Sequence, residues 1–220
     1  PGVFIAGSTL CSSLSGPGAY SRRPGGNVNI VFDLDGTLID SAPDIRAIAN
    51  TLLSDIGKPG LTLGETRAFI GEGAAVFIQR MMAARSIEAE PDMHRKLLAT
   101  FIARYETMPV EPLYYPGVLP LLTQLQAQKH CLAICTNKPE GPTRALLRQS
   151  GLIDMVDGFI AGGMISTRKP DPAMLHHVIS ELSDAQTLYV GDSETDAETA
   201  MRAGVSFALF SGGYHKGKVE

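Results

Sequence analysis

No apolar stretch in this chain approaches the ~20 residues needed to span a bilayer, and no membrane partner is expected. An excess of positive charge is also missing. Lys and Arg number 19 against 23 Asp and Glu, for a net charge of −4 and a pI near 5.7. A nucleic-acid surface calls for clustered cations, so that class of partner is not expected either. Cysteine is scarce, and three residues do not make a disulfide framework. Cys131 and Cys135 lie in an apolar stretch that reads as a buried strand, where packed thiols are expected rather than a metal site. A reducing, cytoplasmic setting fits this usage. There is no internal repeat.

What is present describes an ordinary globular protein. Hydrophobic residues make up 44% and charged residues 19% of 220 positions, enough to bury a substantial core as one domain or as a domain with an insertion. Residues 1–27 are rich in Gly and Ser and end in Ser21-Arg22-Arg23-Pro24-Gly25-Gly26. Pro-Gly-Gly, not an apolar core and a cleavage site, follows the arginine pair, so the segment reads as a flexible leader and not as an export signal. The first residue is Pro1 and not Met, as expected of an incomplete or processed chain.

From Val28 onward, short apolar runs alternate with amphipathic stretches. Strands are expected at Asn29–Phe32, Cys131–Cys135, Gly158–Ala161, Thr187–Val190 and Ser206–Phe210. Helices are expected at Val118–Ala127, Pro142–Gln149, Pro172–Leu182 and Asp196–Ala203. Strands separated by helices imply right-handed crossovers and an α/β parallel sheet covered on both faces. Between Asp40 and Pro116 no strand is expected. Helical periodicity there covers roughly Pro43–Ile56, Leu63–Phe69, Ala74–Ala84 and Pro91–Tyr105. The chain therefore divides into an α/β core, residues 28–41 and 114–220, and an inserted all-helical cap, residues 42–113, placed to close over the strand ends and exclude water.

Four strand ends carry residues with chemical potential. Asp33 and Asp35 follow the first apolar run in Phe32-Asp33-Leu34-Asp35-Gly36-Thr37. Carboxylates this close repel unless a cation lies between them or one takes a proton, and both solutions suit phosphoryl transfer. Alone, the segment could equally be a turn or the start of a hairpin. Thr136-Asn137-Lys138 offers a hydroxyl and backbone N–H groups to phosphoryl oxygens, or simply ends a strand. Lys169, in Arg168-Lys169-Pro170-Asp171-Pro172, is either a cation for an anionic transition state or a solvated lysine before a helix that Asp171 caps. Gly191-Asp192-Ser193-Glu194-Thr195-Asp196 supplies hard oxygen ligands for magnesium or an acidic first turn that complements the helix dipole, the only role expected of Glu194 and Glu198. Together they provide a nucleophile, an acid/base, two phosphate holders and a metal site.

With these four motifs in order, the chain resembles the haloacid dehalogenase superfamily of phosphatases over about Val28 to Gly213. The resemblance implies a Rossmann-like core with a helical cap inserted after the first motif. It implies Asp33 as the nucleophile that forms an aspartyl-phosphate and Asp35 as the acid/base. Thr136 and Lys169 would bind the phosphoryl group, with Asn137 nearby. Magnesium would be held by the Asp33 carboxylate, the Asp35 backbone carbonyl and Asp192, with Asp196 in support. The dehalogenase branch lacks an acid at the place of Asp35, which points to a phosphotransferase-type enzyme.

The runs 32–44, 136–139 and 168–172, with Ile70-Gly71-Glu72-Gly73-Ala74-Ala75, are similar to phosphoglycolate phosphatases. The expected substrate is thus a small phosphorylated acid, most of all 2-phosphoglycolate. The Gly71–Gly73 loop is either a substrate-binding turn or a plain interhelical connection. Arg67, Arg80 and Lys138 are candidate partners for the substrate carboxylate. A phosphomutase of the β-phosphoglucomutase type, a phosphatase for another small phosphoester or pyrophosphate, and a silent binding protein are the alternatives. The family pattern continues beyond Gly213 with another strand and helix, so an edge of the core is expected to be missing. A monomer or homodimer is expected.

Overall fold

The computed structural model describes residues 28–108 and 113–217; the expected leader lies outside them. Strand β1 (Val28–Phe32) runs through the middle of a five-stranded sheet. It is buried from Asn29 onward, because its alternating side chains face a packed layer on each side. β2 (Cys131–Pro139), β3 (Gly158–Gly162), β4 (Gln186–Gly191) and β5 (Ser206–Leu209) complete the sheet. All pairings are parallel, in the order β3-β2-β1-β4-β5. Ile30 and Phe32 point into a cluster with Leu132, Ile134 and Val190. Helices α5 (Val118–Ala127) and α6 (Glu140–Ser150) cover this face through Leu122, Leu125, Leu146 and Leu147. Val31, Ala133 and Tyr189 point the other way, under α7 (Ala173–Ser180) and α8 (Glu194–Ala203). The period of two in the strands thus feeds two separate cores. Asn29, the polar exception in β1, is satisfied by Ser183 through Nδ2 to its carbonyl at 2.9 Å and Oδ1 from its hydroxyl at 2.8 Å.

Between β1 and β2 the chain forms α1 (Ala42–Asp55), α2 (Leu63–Phe69), α3 (Ala74–Ala84) and α4 (Pro91–Thr107). These helices share a third core, in which Leu52, Leu53, Phe77, Met81 and Phe101 are buried. Among the described residues of this stretch there is no strand, as the sequence predicts; at its borders isolated bridges join Ile39 to Asp35 and to Tyr114. Thr62 and Glu65 make a reciprocal capping box at the start of α2, an arrangement that contributes about 1 kcal/mol to a helix. No helix of the described residues is long and apolar enough to cross a membrane.

Several element ends depart from the sequence expectation. β2 runs on to Pro139 and not Cys135, because Pro139 pairs with Gly162 after a register shift at Thr136. α8 starts two residues early, since Ser193 caps it and Asp196 is the third residue of a capping box. α7 is shorter at both ends. Pro172 is its cap residue, and Asp171 serves the helix start indirectly, through Oδ1 accepting the Ala173 N–H at 2.8 Å. Glu194 does more than face the helix dipole: its Oε1 accepts the backbone N–H groups of Lys216 and Gly217, each at 2.8 Å. Cys131 and Cys135 are buried on the same face, but the expected thiol holds for Cys135 alone, the free cysteine of the two. Burial pushes that thiol up to about 12.

Candidate active site

The strand order reverses beside β1, whose neighbours β2 and β4 are reached by crossovers in opposite directions. Carboxyl ends at such a point leave a crevice for ligands. Asp33 follows β1 directly, and its backbone N–H is bound to the Val190 carbonyl of β4 at 2.8 Å. The turn after it closes with Gly36 at φ +96°, where a Cβ would lie 2.4 Å from Asp192 Oδ2. Only glycine lets this turn approach the second acidic strand end so closely. Thr37 Oγ1 then donates to Asp192 Oδ1 at 2.9 Å.

Asp33, Asp192 and Asp196 are buried, and one oxygen from each lies within 4.8 Å of the others. Lys169, itself buried, reaches Asp33 Oδ1 at 2.8 Å and Asp196 Oδ1 at 2.7 Å. Tyr189 Oη also donates to Asp196 Oδ1, at 2.8 Å, and the other Asp196 oxygen accepts from the Ser193 hydroxyl and N–H. Asp196 is therefore fully engaged within the protein. Asp33 differs: its Oδ1 meets the Lys169 ammonium at 2.8 Å and no other donor. Burial raises the Asp33 carboxyl from its ordinary range to about 8, and the Asp196 and Asp192 charges add to this against the pull of Lys169. Asp192 is raised to about 7, again by burial first and Asp196 second. Asp196 also loses solvation, yet Lys169 and its hydrogen bonds outweigh that and hold it below the ordinary carboxyl value. Three crowded acids, two of them poorly stabilised as anions, fit a small divalent cation held by Asp33 and Asp192.

Two pockets meet at Asp33 and Asp35. One opens toward Asp192, Glu194 and Tyr214. The other lies under the helical layer, lined by Gly71, Gly73, Thr136, Asn137 and Lys138, with apolar walls from Ile45, Ile70, Phe77 and Phe101. Thr136 Oγ1 accepts the Lys138 N–H at 3.2 Å. Gly73 caps α3 at φ +88° without a side chain, and the start of that helix, whose first-turn N–H groups have no intrahelical partner, lines the pocket through Gly73 and Ala74. The structure thus brings Asp33, Asp35, Thr136, Asn137, Lys169, Asp192, Gly71 and Gly73 around one crevice.

Some side chains sit there in a different capacity from the expected one. The Asn137 side chain is committed at both ends: Nδ2 donates to the carbonyls of Gly71 and Lys169, at 3.2 and 3.0 Å, and Oδ1 accepts the Lys169 N–H at 2.9 Å. It braces the loop against the lysine segment. Arg67 pairs with Asp40 at 2.7 Å, and Arg80 pairs with Glu72; neither lines the pocket under the helical layer. Lys138 does, but its ammonium reaches Asp35 Oδ1 at 3.0 Å and the Tyr105 hydroxyl.

Other contributors escape a reading of local motifs. Tyr214 gives its N–H to Asp192 Oδ2 at 2.5 Å and its hydroxyl to Asp40 Oδ1 at 2.6 Å, and it accepts the Ala42 N–H at 3.0 Å. Tyr189 donates to the acid that Lys169 pairs with. The only sequence signal for Tyr189 is its place in the strand before the acidic motif; for Tyr214 it is the preceding Gly212-Gly213 pair.

A parallel α/β sheet with buried carboxylates and a lysine at its switch point, under a helical layer, is an arrangement suited to phosphoryl-transfer enzymes. The comparisons with known proteins narrow it. The family model of haloacid dehalogenase-like hydrolases matches residues 30–210. The phosphoglycolate phosphatase of Cereibacter sphaeroides (strain ATCC 17029) is 46% identical over 193 residues, 86% of this chain and 88% of that protein. The phosphoglycolate phosphatase of Rhodospirillum rubrum is 39% identical, covering 85% and 80%. The crystal structure of a predicted phosphoglycolate phosphatase from Haemophilus somnus 129pt superposes with a TM-score of 0.78 at 31% identity, covering 85% of this chain and 86% of that one. This chain belongs to the haloacid dehalogenase-like hydrolases, and within them it is a phosphoric monoester hydrolase.

Proposed function

We propose that the chain is a magnesium-dependent phosphatase that hydrolyses 2-phosphoglycolate to glycolate and phosphate through an aspartyl-phosphate on Asp33. The observation that carries this is the Asp33 carboxylate: buried, met at Oδ1 by the Lys169 ammonium at 2.8 Å, and at the junction of two pockets. The relatives named above support the substrate.

In this reading a carboxylate oxygen of Asp33 attacks phosphorus while the ester P–O bond breaks, and Asp35 passes its proton to the departing alkoxide oxygen. Asp35, now a carboxylate, takes a proton from water as the water oxygen attacks phosphorus. The acyl-phosphate P–O bond breaks, which restores Asp33 and releases phosphate. Lys169 and Thr136 hold the phosphoryl oxygens, and the Lys169 charge favours the ionised form of Asp33 in opposition to its burial. Asp33, Asp192 and the Asp35 backbone carbonyl would hold magnesium, which would supply charge neutralisation for the phosphoryl group.

The domain reading goes with the chemistry. Residues 28–41 and 114–220 act as the core, and 42–113 as a cap over the strand ends. The substrate carboxylate would meet the N–H groups of the Gly71–Gly73 turn, since Arg67 and Arg80 are already paired. A phosphomutase needs polar groups for sugar hydroxyls, whereas the side of this pocket formed by the helical layer presents Ile45, Ile70, Phe77 and Phe101, with the Tyr105 hydroxyl engaged by Lys138.

The test is phosphate release, with and without magnesium, from 2-phosphoglycolate, glucose 1-phosphate, pyrophosphate and p-nitrophenyl phosphate, with Asp33→Asn as the control. Preference for 2-phosphoglycolate, lost in the variant, is expected. Activity on the aryl ester alone would discard the substrate, and an active Asp33→Asn protein would discard the nucleophile.

A further inference from the structure

Lys138 is the one motif residue whose role the chemistry above leaves open. It is buried on the extended end of β2, yet it does not turn toward the three-aspartate cluster. Its Nζ lies 3.0 Å from Asp35 Oδ1 and 3.3 Å from Oδ2, donates to the Tyr105 hydroxyl, and sits 3.8 Å from the centre of the Tyr105 ring. Both Asp35 oxygens are thus gripped by one ammonium from β2. Tyr105 comes from the last turn of α4, in the inserted helical layer, and is itself buried.

Tyr105 is not held by Lys138 alone. Its ring packs edge-on against Phe101, with centroids 5.7 Å apart, and Phe101 packs on Phe77 of α3 at 5.4 Å. Phe77 lies on the helix that Gly73 caps, and its N–H is bonded to the Gly73 carbonyl at 3.0 Å. A contiguous chain of packed groups therefore links the glycine turn to the Asp35 carboxylate. A lysine whose charge is wanted only for balance could keep its head in solvent, since an isolated ammonium is costly to bury. Here burial is offset by a carboxylate and an aromatic face together.

We propose that Lys138 and Tyr105 are positioning residues: through them the inserted helices fix the Asp35 carboxylate in the orientation from which it exchanges a proton with the leaving group. The proposal rests on the acid/base reading of Asp35, and its test separates the two. Loss of the Tyr105 hydroxyl leaves the ring and its packing intact and removes one anchor of the lysine. Tyr105→Phe should lower kcat on 2-phosphoglycolate about tenfold, the effect of one hydrogen bond of ~1.4 kcal/mol, with KM nearly unchanged. On p-nitrophenyl phosphate, whose leaving group needs little protonation, the loss should be under about threefold.

Asp35→Asn, measured alongside, should show the same alkyl-over-aryl pattern more strongly. The two changes combined should cost no more than Asp35→Asn alone, because the tether acts only through that carboxylate. Lys138→Met should behave like Tyr105→Phe, and Lys138→Arg should recover part of the loss. If Asp35→Asn shows the pattern but Tyr105→Phe harms both esters equally, raises KM only, or adds its full effect in the double variant, the tether is overturned and the acid role stands. If Asp35→Asn itself harms both esters equally, the acid role falls and the tether falls with it.

Discussion

Asp192 shows how much a single side chain depends on its surroundings. Both of its oxygens accept a hydrogen bond, one from Thr37 and one from the Tyr214 N–H, and these hold the carboxylate in place. Even so, burial and the nearby Asp196 charge raise it to about 7. A group oriented this firmly and stabilised this poorly as an anion is well placed to gain from a cation. Asp192→Ala should therefore raise the magnesium concentration needed for half-maximal phosphate release by at least about tenfold. An unchanged titration would remove Asp192 from the metal site. At this scale the sequence was readable for placement: Asp33, Thr136 and Asp192 stand one or two residues past an apolar run, Lys169 stands before a helix start, and the fold gathers all four. It was not readable for Arg67, Arg80 and Asn137. Their side chains look available in one dimension, and their partners Asp40, Glu72 and Gly71 become visible only once the chain has folded.

At the scale of elements, α2 illustrates a local arrangement with consequences for the site. Its capping box would form in an isolated helix, but Arg85, which follows α3, reaches back to both Glu65 oxygens, at 2.8 and 2.9 Å. This closes the unit on which the Gly71–Gly73 turn is mounted. The Arg85 hydrogen bonds first, then those from Thr62, lower Glu65 to about 2. A carboxyl depressed in the folded state stabilises fully above its ordinary value near 4.5 and loses that contribution as pH falls through about 2. Glu65→Gln should thus cost stability at pH 5 and progressively less toward pH 2, as read from urea unfolding at fixed pH. A constant difference across that range would count against the ion pair. The helices and strands themselves were legible because their periodicities are clean. Their ends were not: β2 extends to Pro139 because β3 lies beside it, and α8 begins early because Ser193 and Asp196 cap it reciprocally.

The whole molecule confronts a charge problem at the sheet's switch point. Asp33 at about 8 and Asp192 at about 7 are both raised, first by burial and then by crowding. Groups raised in the folded state stabilise it fully below their ordinary value near 3.8, and the contribution disappears as pH rises through 7 and 8. The metal-free protein should therefore melt at a lower temperature at pH 8 than at pH 5. In the proposed reading magnesium binds the folded arrangement alone and should raise the melting temperature more at pH 8, where the acids are ionised. Equal increments at the two pH values, or none, would show that these carboxylates do not share a cation.

The sequence by itself determined the alternation of strands and helices, the helical insertion after β1 and the four strand-end motifs, because each depends on residues close together in the chain. Periodicity, capping and turn chemistry are local. Only the tertiary structure decided which charges find partners. Tyr105 and Lys138 lie 33 residues apart, and Tyr214 and Asp40 lie 174 apart. Their meeting follows from the order β3-β2-β1-β4-β5 and from the packing of α4 over the strand ends. In a buried site the energy of a charge is set by the groups around it in space, and chain order does not record them.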